Sequence, residues 1–451
     1  MVNGSRASRR VRVMGGGRGV VGHVGAALVA QLADRLGFTS ALSAGMAHTR
    51  RRRSAHDPGV VLAQLAVMLV DGGDCLSDLA VLRDQPELFG RVASNATAWR
   101  VIDSIHSDGL RALRAARASA RERAWSAGVR PDEFVLDVDA TLVTAHSEKE
   151  DAAPNYKHGF GFHPMHCYLY ETGEALAAKL RPGNAGSNDA ADHVEVVDLA
   201  IAQLPPDVRT GHQPGDEHGA SAKILVRADS AGATHDFIDA LIERDLRFSI
   251  GFPLSDRVRS AILAADEAAW VPALTQAGGE RDGAAVVELD VVLAGWPEVV
   301  RVICRRERPH PGAQFTFTDH NGYRFQCFIT DQTDTDIAAL EARHRQHACV
   351  ENLIRCAKQT GLENFPFRDI VPNMAWLELV LAAQDLTAWT QLLCLDGPLR
   401  YAEPKRLRYT LFHAAARVVR TGRQDIVRVQ QSWPWSRELV NAFTKLRALP
   451  T

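Results

Sequence analysis

Asp139, Asp229 and Glu351 are the residues whose types and surroundings best suit chemistry. Asp139 falls on the polar side of Phe134-Val135-Leu136-Asp137-Val138-Asp139-Ala140-Thr141-Leu142-Val143, a run whose alternation and branched side chains predict a strand. Asp137, two residues earlier, faces the same way, because side chains alternate along a strand. Asp229 closes Ile224-Leu225-Val226-Arg227-Ala228, a buried-looking strand, and open α/β sheets place their chemistry at the carboxyl ends of strands. Glu351 lies on a predicted helix, and Lys358 returns to nearly the same face two turns later. Two strand-end aspartates and a helix-borne glutamate can hold two Mg²⁺ ions, with Mn²⁺ as a substitute, because hard cations take oxygen ligands and keep positions open for phosphate and water. Such a pair stabilises both the attacking and the leaving oxygen of an in-line displacement at phosphorus. With 54 acids in the chain, spacing alone does not single out these three.

The elements that must position them divide the chain by pattern. Residues 20–128 read as helices: Val24 to Leu36, Val60 to Val70, Leu76 to Leu82, a short one capped by Ser94, and Asp108 to Trp125. At Arg130-Pro131 the pattern turns to strand, with His163 to Tyr170 and Ala175 to Leu180 as further strands. Asp192 to Leu204 and His235 to Arg244 then alternate as helices with the strands Ile224 to Asp229 and Arg247 to Phe252, which predicts a mixed α/β sheet. Residues 285–329 are strand and turn throughout, and helix is predicted from Asp336 to the end.

Composition is that of an ordinary globular protein, 46% hydrophobic and 24% charged, which excludes disordered, collagen-like and coiled-coil classes. The net charge of -2 conceals a strong asymmetry. Residues 1–130 carry 19 Arg, no Lys and 10 acids, a net of +9, and residues 397–451 carry +8, leaving -19 for the middle. Two basic ends around an acidic centre fit a polyanion held by the flanks and worked on between them, or simply solvated surface. Arg50-Arg51-Arg52-Arg53 is the densest basic run, and Arg114, Arg117 and Arg121 share one helix face. The seven cysteines are scattered without a C-x-x-C pair, which favours a reducing cytosol over a disulfide framework or a zinc knuckle. The apolar run Val60 to Val70 is too short to span a bilayer, and Arg18 and His23 break up any export-like segment near the start.

The residues around the three acids resemble a known family. Asp137-Val138-Asp139-Ala140-Thr141, Ser147 to Lys157, Gly161-Phe162-His163-Pro164 and Leu180 to Asn188 resemble the core of bacterial DDE transposases of insertion sequences, specifically the insertion-sequence-1380 type. Arg227-Ala228-Asp229-Ser230 matches the second acidic block, and Val350-Glu351-Asn352-Leu353-Ile354 with Lys358 the third. The resemblance runs from about Val20 to Arg423 and implies an α/β, ribonuclease H-like mixed sheet with a β-strand insertion before the glutamate helix, flanked by helical N-terminal and C-terminal regions. By position it makes Asp139, Asp229 and Glu351 the catalytic, metal-binding triad, with Asp137 a neighbour whose part stays open. The implied division is a helical DNA-binding region (1–129), the first part of the core (130–284), the β insertion (285–330), the core completion with the glutamate helix (331–396) and a basic helical C-terminal region (397–451).

The implied activity is binding of terminal inverted repeats in double-stranded DNA, cleavage, and strand transfer to target DNA by a homodimer, associated with the nucleoid in the cytoplasm and with no membrane partner. DNA contacts are expected from Lys358, from Trp296, which stacks on a flipped base unless it is a core tryptophan, from Tyr156 and Lys157 in a polar loop, and from Arg50, Arg51, Arg52 and Arg53. Where the family usually has a tyrosine and an arginine, seven and four residues before the glutamate, this chain has His344 and His347, which lie on the same face and can donate to phosphate. That departure keeps open a catalytically decayed or domesticated protein that binds DNA without cutting it. A nuclease without strand transfer, and a zinc set formed by His344, His347 and Glu351, are further alternatives.

Overall fold

The computed structural model describes residues 16–50, 55–145, 148–209, 224–310, 312, 319–422 and 424–450. Its centre is a nine-stranded mixed sheet: β1 (Phe134–Ala140), β2 (Met165–Leu169), β3 (Glu174–Lys179), β4 (Ile224–Ala228), β5 (Arg247–Phe252), β6 (Val271–Leu274), β7 (Glu280–Leu289), β8 (Arg301–Glu307) and β9 (Arg324–Thr330), in the order β6-β7-β8-β9-β5-β4-β1-β2-β3. β1, β2 and β3 form an antiparallel meander, and β4 and β5 run parallel to β1, which is the ribonuclease H-like half of the sheet. β4 is buried along its whole length, as a strand flanked by parallel neighbours requires.

The strand-rich segment expected over 285–329 begins earlier, at Val271, and continues the same sheet: β9 pairs antiparallel with β5, and β8, β7 and β6 follow outward. Its own small core of Ala273, Ala284, Val286, Ile303, Phe328 and Leu340 seats the helix Ile337–Arg345. That helix passes through a tight turn, Gln346–Cys349, into Val350–Ala357, so Glu351 is presented in the first turn of the second helix.

The N-terminal helices Val24–Arg35, Phe38–Gly45, Pro58–Asp71 and Ser107–Ala124 share one hydrophobic core with the sheet and the long buried helix Ile370–Cys394. Phe38–Gly45 and Asp256–Ala264 are helices that the sequence pattern did not predict. The arginine face of Ser107–Ala124 turns mostly inward, with Arg114 half-buried against Glu378. Arg117 and Arg121 are buried and bond Asp385 (3.0 and 2.9 Å), while Arg117 also reaches Glu378 (3.0 Å) and Arg121 reaches Glu174 (2.9 Å). A buried guanidinium requires such partners, and here they lock the helix to the long helix and to the start of β3.

The C-terminal region departs from the all-helical expectation. Ala416–Thr421 and Gln424–Val429 form an exposed antiparallel ribbon, and Val20–Val21 pairs with its first strand. Among the described residues no single helix is long and apolar enough to cross a membrane, and all seven cysteines are free thiols.

Candidate active site

The acids meet where two strands and one helix converge. The register Asp137↔Arg227 in the parallel β1–β4 pair places Asp139 and Asp229 at neighbouring strand ends on one face of the sheet. The Asp229 Oδ1 accepts from the Ala231 amide (2.9 Å), fixing the turn that follows β4. Gly251 on β5 makes room for that turn: a Cβ there would lie 2.8 Å from the Ser230 nitrogen and 3.1 Å from the Asp229 carbonyl carbon. Asp139 is half-buried, its Oδ1 accepting from the Ala140 amide (2.7 Å), whereas Asp229 and Glu351 are exposed. Burial, with the charges of Asp229 and Glu351, pushes the Asp139 carboxyl up to about 6, against the Ala140 hydrogen bond and His347. The three carboxylates are thus close enough for their charges to act on one another.

They are spread wider than the ligands of one ion. Among the described residues, the groups whose ligand atoms all lie within 4.8 Å of one another are His23–Asp71–His413 and Asp74–Cys75–Asp78. A pair of ions about 3.5–4 Å apart needs carboxylates spread in this way. An all-oxygen donor set, in which burial and the two neighbouring negative charges raise one carboxyl's pKa, fits Mg²⁺ or Mn²⁺ chemically. Beside the acids opens a cleft of about 550 Å³, lined by Asp229, Gly251, Phe252, Arg305, His347 and Glu351 among others.

Asp137 is committed elsewhere. It is fully buried, receives Arg227 through two bonds (Nε to Oδ1 2.8 Å, Nη2 to Oδ2 2.7 Å), and accepts from His347 Nδ1 (2.8 Å). The Arg227 guanidinium also covers the Tyr170 ring at 4.5 Å. This bidentate pair ties β1 to β4, and His347 ties the glutamate-bearing segment to the pair. His344 stacks on Phe328, with ring centroids 4.3 Å apart, and its Nδ1 lies 2.9 Å from Ser249 Oγ. Burial and neighbouring cationic groups hold the His344 ring neutral, its pKa down to about 3, which leaves it no charge for phosphate. Both histidines thus line the cleft while serving internal contacts.

Of the remaining expected DNA contacts, Lys358 stands near enough to His166, opposite Asp139, for its charge to act on that ring, and Trp296 packs on Phe252 of the cleft. Lys358 Nζ donates to the Leu142 carbonyl (3.1 Å), which leaves two of its three protons for another acceptor. Trp296 is half-buried against His235 and Phe252, with centroids 4.3 and 5.3 Å apart. Tyr156 is 69% exposed, with the Lys157 ammonium 5.6 Å from its ring centre. Arg50 is exposed, 3.6 Å from Asp57, while Arg51, Arg52 and Arg53 lie outside the described residues.

Sequence reasoning missed His166. It is paired directly opposite Asp139 in the β1–β2 register, is fully buried, and neither ring nitrogen has a hydrogen-bond partner. Burial lowers its pKa to about 3. A histidine inside an apolar strand two residues after Pro164 was the available signal, but only pairing reveals that it faces the acids.

Residues 3–451 match the family model described as Transposase DDE domain group 1. No curated protein matches the sequence. Among solved structures, the chain is similar to the piggyBac transposase in a cryo-EM structure of its synaptic complex with hairpin DNA, at a TM-score of 0.40 and 10% identity, covering 85% of this chain and 79% of that chain.

Proposed function

Because the chain belongs to the transposase DDE domain group 1 family, we propose that it is the transposase of an insertion sequence, of the 1380 type, that binds terminal inverted repeats and cuts and joins DNA at Asp139, Asp229 and Glu351. The observation that carries this reading is the convergence of the Asp229 and Glu351 charges on Asp139 at the ends of β1 and β4. The three carboxylates would hold two Mg²⁺ ions, or Mn²⁺, and these when bound supply the charge that activates water and stabilises the oxygens of phosphoryl displacement.

The chain's own groups set the geometry. The Ala140 and Ala231 amides each hold one oxygen of Asp139 and Asp229, and the Arg227–Asp137–His347 network fixes the Glu351 segment on the sheet. Lys358, whose bond to the Leu142 carbonyl leaves two protons, would bind a phosphate beside the cut. Tyr156, Lys157, Trp296 and the arginines from Arg50 to Arg53 remain proposed DNA contacts, and the working unit is proposed to be a homodimer holding two DNA ends at the nucleoid.

A second reading, a decayed or domesticated DNA-binding protein, is favoured by the neutral, internally committed His344 where the family usually has tyrosine. Joining of labelled repeat ends to a plasmid in Mg²⁺ separates the possibilities. Integration products support the transposase, cleavage without joining supports a nuclease, and specific binding without either supports the decayed protein.

A further inference from the structure

A second cluster of ligating side chains stands outside the carboxylate cleft, where the two ends of the chain meet. Val20 and Val21 pair with Arg417 and Ala416, and the Val24 amide donates to the Ala414 carbonyl (3.2 Å), so the His23 and His413 rings stand with centroids 4.7 Å apart. Between them is Asp71, the last residue of Pro58–Asp71 and only 6% exposed. His23 Nδ1 lies 2.7 Å from Asp71 Oδ2, His413 Nε2 lies 3.4 Å from Asp71 Oδ1, and the three ligand atoms fall within 4.8 Å of one another.

Two observations set this apart from a plain ion pair. The His23 Nδ1 and Asp71 Oδ1 atoms are buried without a hydrogen-bond partner, so the 2.7 Å approach of ring to carboxylate lacks hydrogen-bond alignment. His23 also holds φ 57° and ψ 33°, the left-handed region, in which a non-glycine residue is strained. The site sits at a helix C-terminus, where the dipole favours a cation; without an ion His413 Nε2 donates to the Asp71 carbonyl (2.8 Å), a proton that ligation would displace, and Arg408 takes the Val70 and Leu69 carbonyls beside it (3.0 and 3.4 Å).

We propose that His23, Asp71 and His413 bind a structural divalent cation of the zinc class. Two imidazoles and one carboxylate are a borderline donor set that suits Zn²⁺ and not Mg²⁺. Ligand atoms around a tetrahedral zinc stand roughly 3.3 Å apart, given bonds of about 2.0 Å, so small adjustments of these side chains admit the ion. The ion clips His23 and Asp71 to His413, the latter two 342 residues apart, and holds the N-terminal strand on the basic C-terminal ribbon.

The test uses tag-free full-length protein carrying Asp139→Asn, which disables the carboxylate site, titrated with Co²⁺. A single equivalent of strong visible absorption, displaced by Zn²⁺, together with a thermal midpoint raised by Zn²⁺ and lowered by chelator, is expected. His413→Gln and His23→Asn should each weaken binding roughly tenfold or more while circular dichroism is unchanged, Asn being the residue that best tolerates the left-handed backbone. No absorption from folded protein overturns the proposal. Absorption that survives both substitutions also overturns it, and its loss in Cys75→Ser would move the ion to Asp74–Cys75–Asp78. The result is independent of the proposed DNA chemistry, because neither readout involves cleavage.

Discussion

Asp137 and Asp139 stand two residues apart on one strand, face the same way and do opposite work. Asp137 neutralises the buried Arg227, so Asp137→Asn strands a guanidinium in the core and should destabilise the protein by about 3–5 kcal/mol, read as a lowered denaturant midpoint. A change below about 1 kcal/mol would show that the pair is dispensable. Asp139 carries the reverse burden. Its folded carboxyl keeps its proton up to about 6, against 3.8 for the free group, so the metal-free fold loses stability as pH rises between these values and bears the full penalty, about 3 kcal/mol, above them. Asp139→Asn should therefore raise the melting temperature of metal-free protein near neutral pH and flatten its pH dependence; an unchanged profile would contradict the burial and neighbouring negative charge that raise the carboxyl. The alternation of the strand told that both acids face one way, but not which is paired, because the deciding partner lies 90 residues away. His166 was hidden for the same reason: its position opposite Asp139 exists only in the register.

Elements explain where a site can form and where the sequence pattern misleads. The close approach of the Asp229 turn to β5 depends on the bare backbone of Gly251, so Gly251→Ala should push that turn aside and reduce DNA cleavage by roughly tenfold to 10²-fold while the fold melts nearly as wild type. Wild-type cleavage in that variant would mean that the turn has slack. Strands β1, β4 and β5 were legible because runs this short, rich in branched or aromatic residues, favour strand over a buried helix. The helix Ser107–Ala124 was equally legible as a helix, yet its arginine face was not legible as buried, since Glu174, Glu378 and Asp385 come from other elements. The ribbon Ala416–Thr421 and Gln424–Val429 was lost among basic residues that helices also use. It sets the exposed Arg417 and Arg428 directly opposite each other, a like-charge pair that an anion would relieve. Replacing both by Ala should weaken DNA binding at low salt and flatten the dependence of log affinity on log salt by about 2, as measured by fluorescence anisotropy. An unchanged slope would exclude the ribbon from the DNA contact.

At the scale of the whole molecule, the charge asymmetry of the chain becomes spatial. Pairing of Val20–Val21 with the ribbon joins the two basic ends, while the acidic middle folds into the sheet that carries the three carboxylates. The sequence could show that both ends are basic, but that they meet follows from a two-residue strand too short to leave a periodic signal. The convergence of Asp139, Asp229 and Glu351 is proposed to be a DNA-cutting centre. The most direct measurement is nicking of a duplex bearing the element's own terminal repeat by purified protein, in Mg²⁺ and in EDTA, for wild type and for Asp139→Asn. Nicks are expected at the repeat boundary with wild type in Mg²⁺, and none in EDTA or with the variant. Specific binding without nicks in Mg²⁺ or Mn²⁺, or nicking that Asp139→Asn leaves intact, would contradict it.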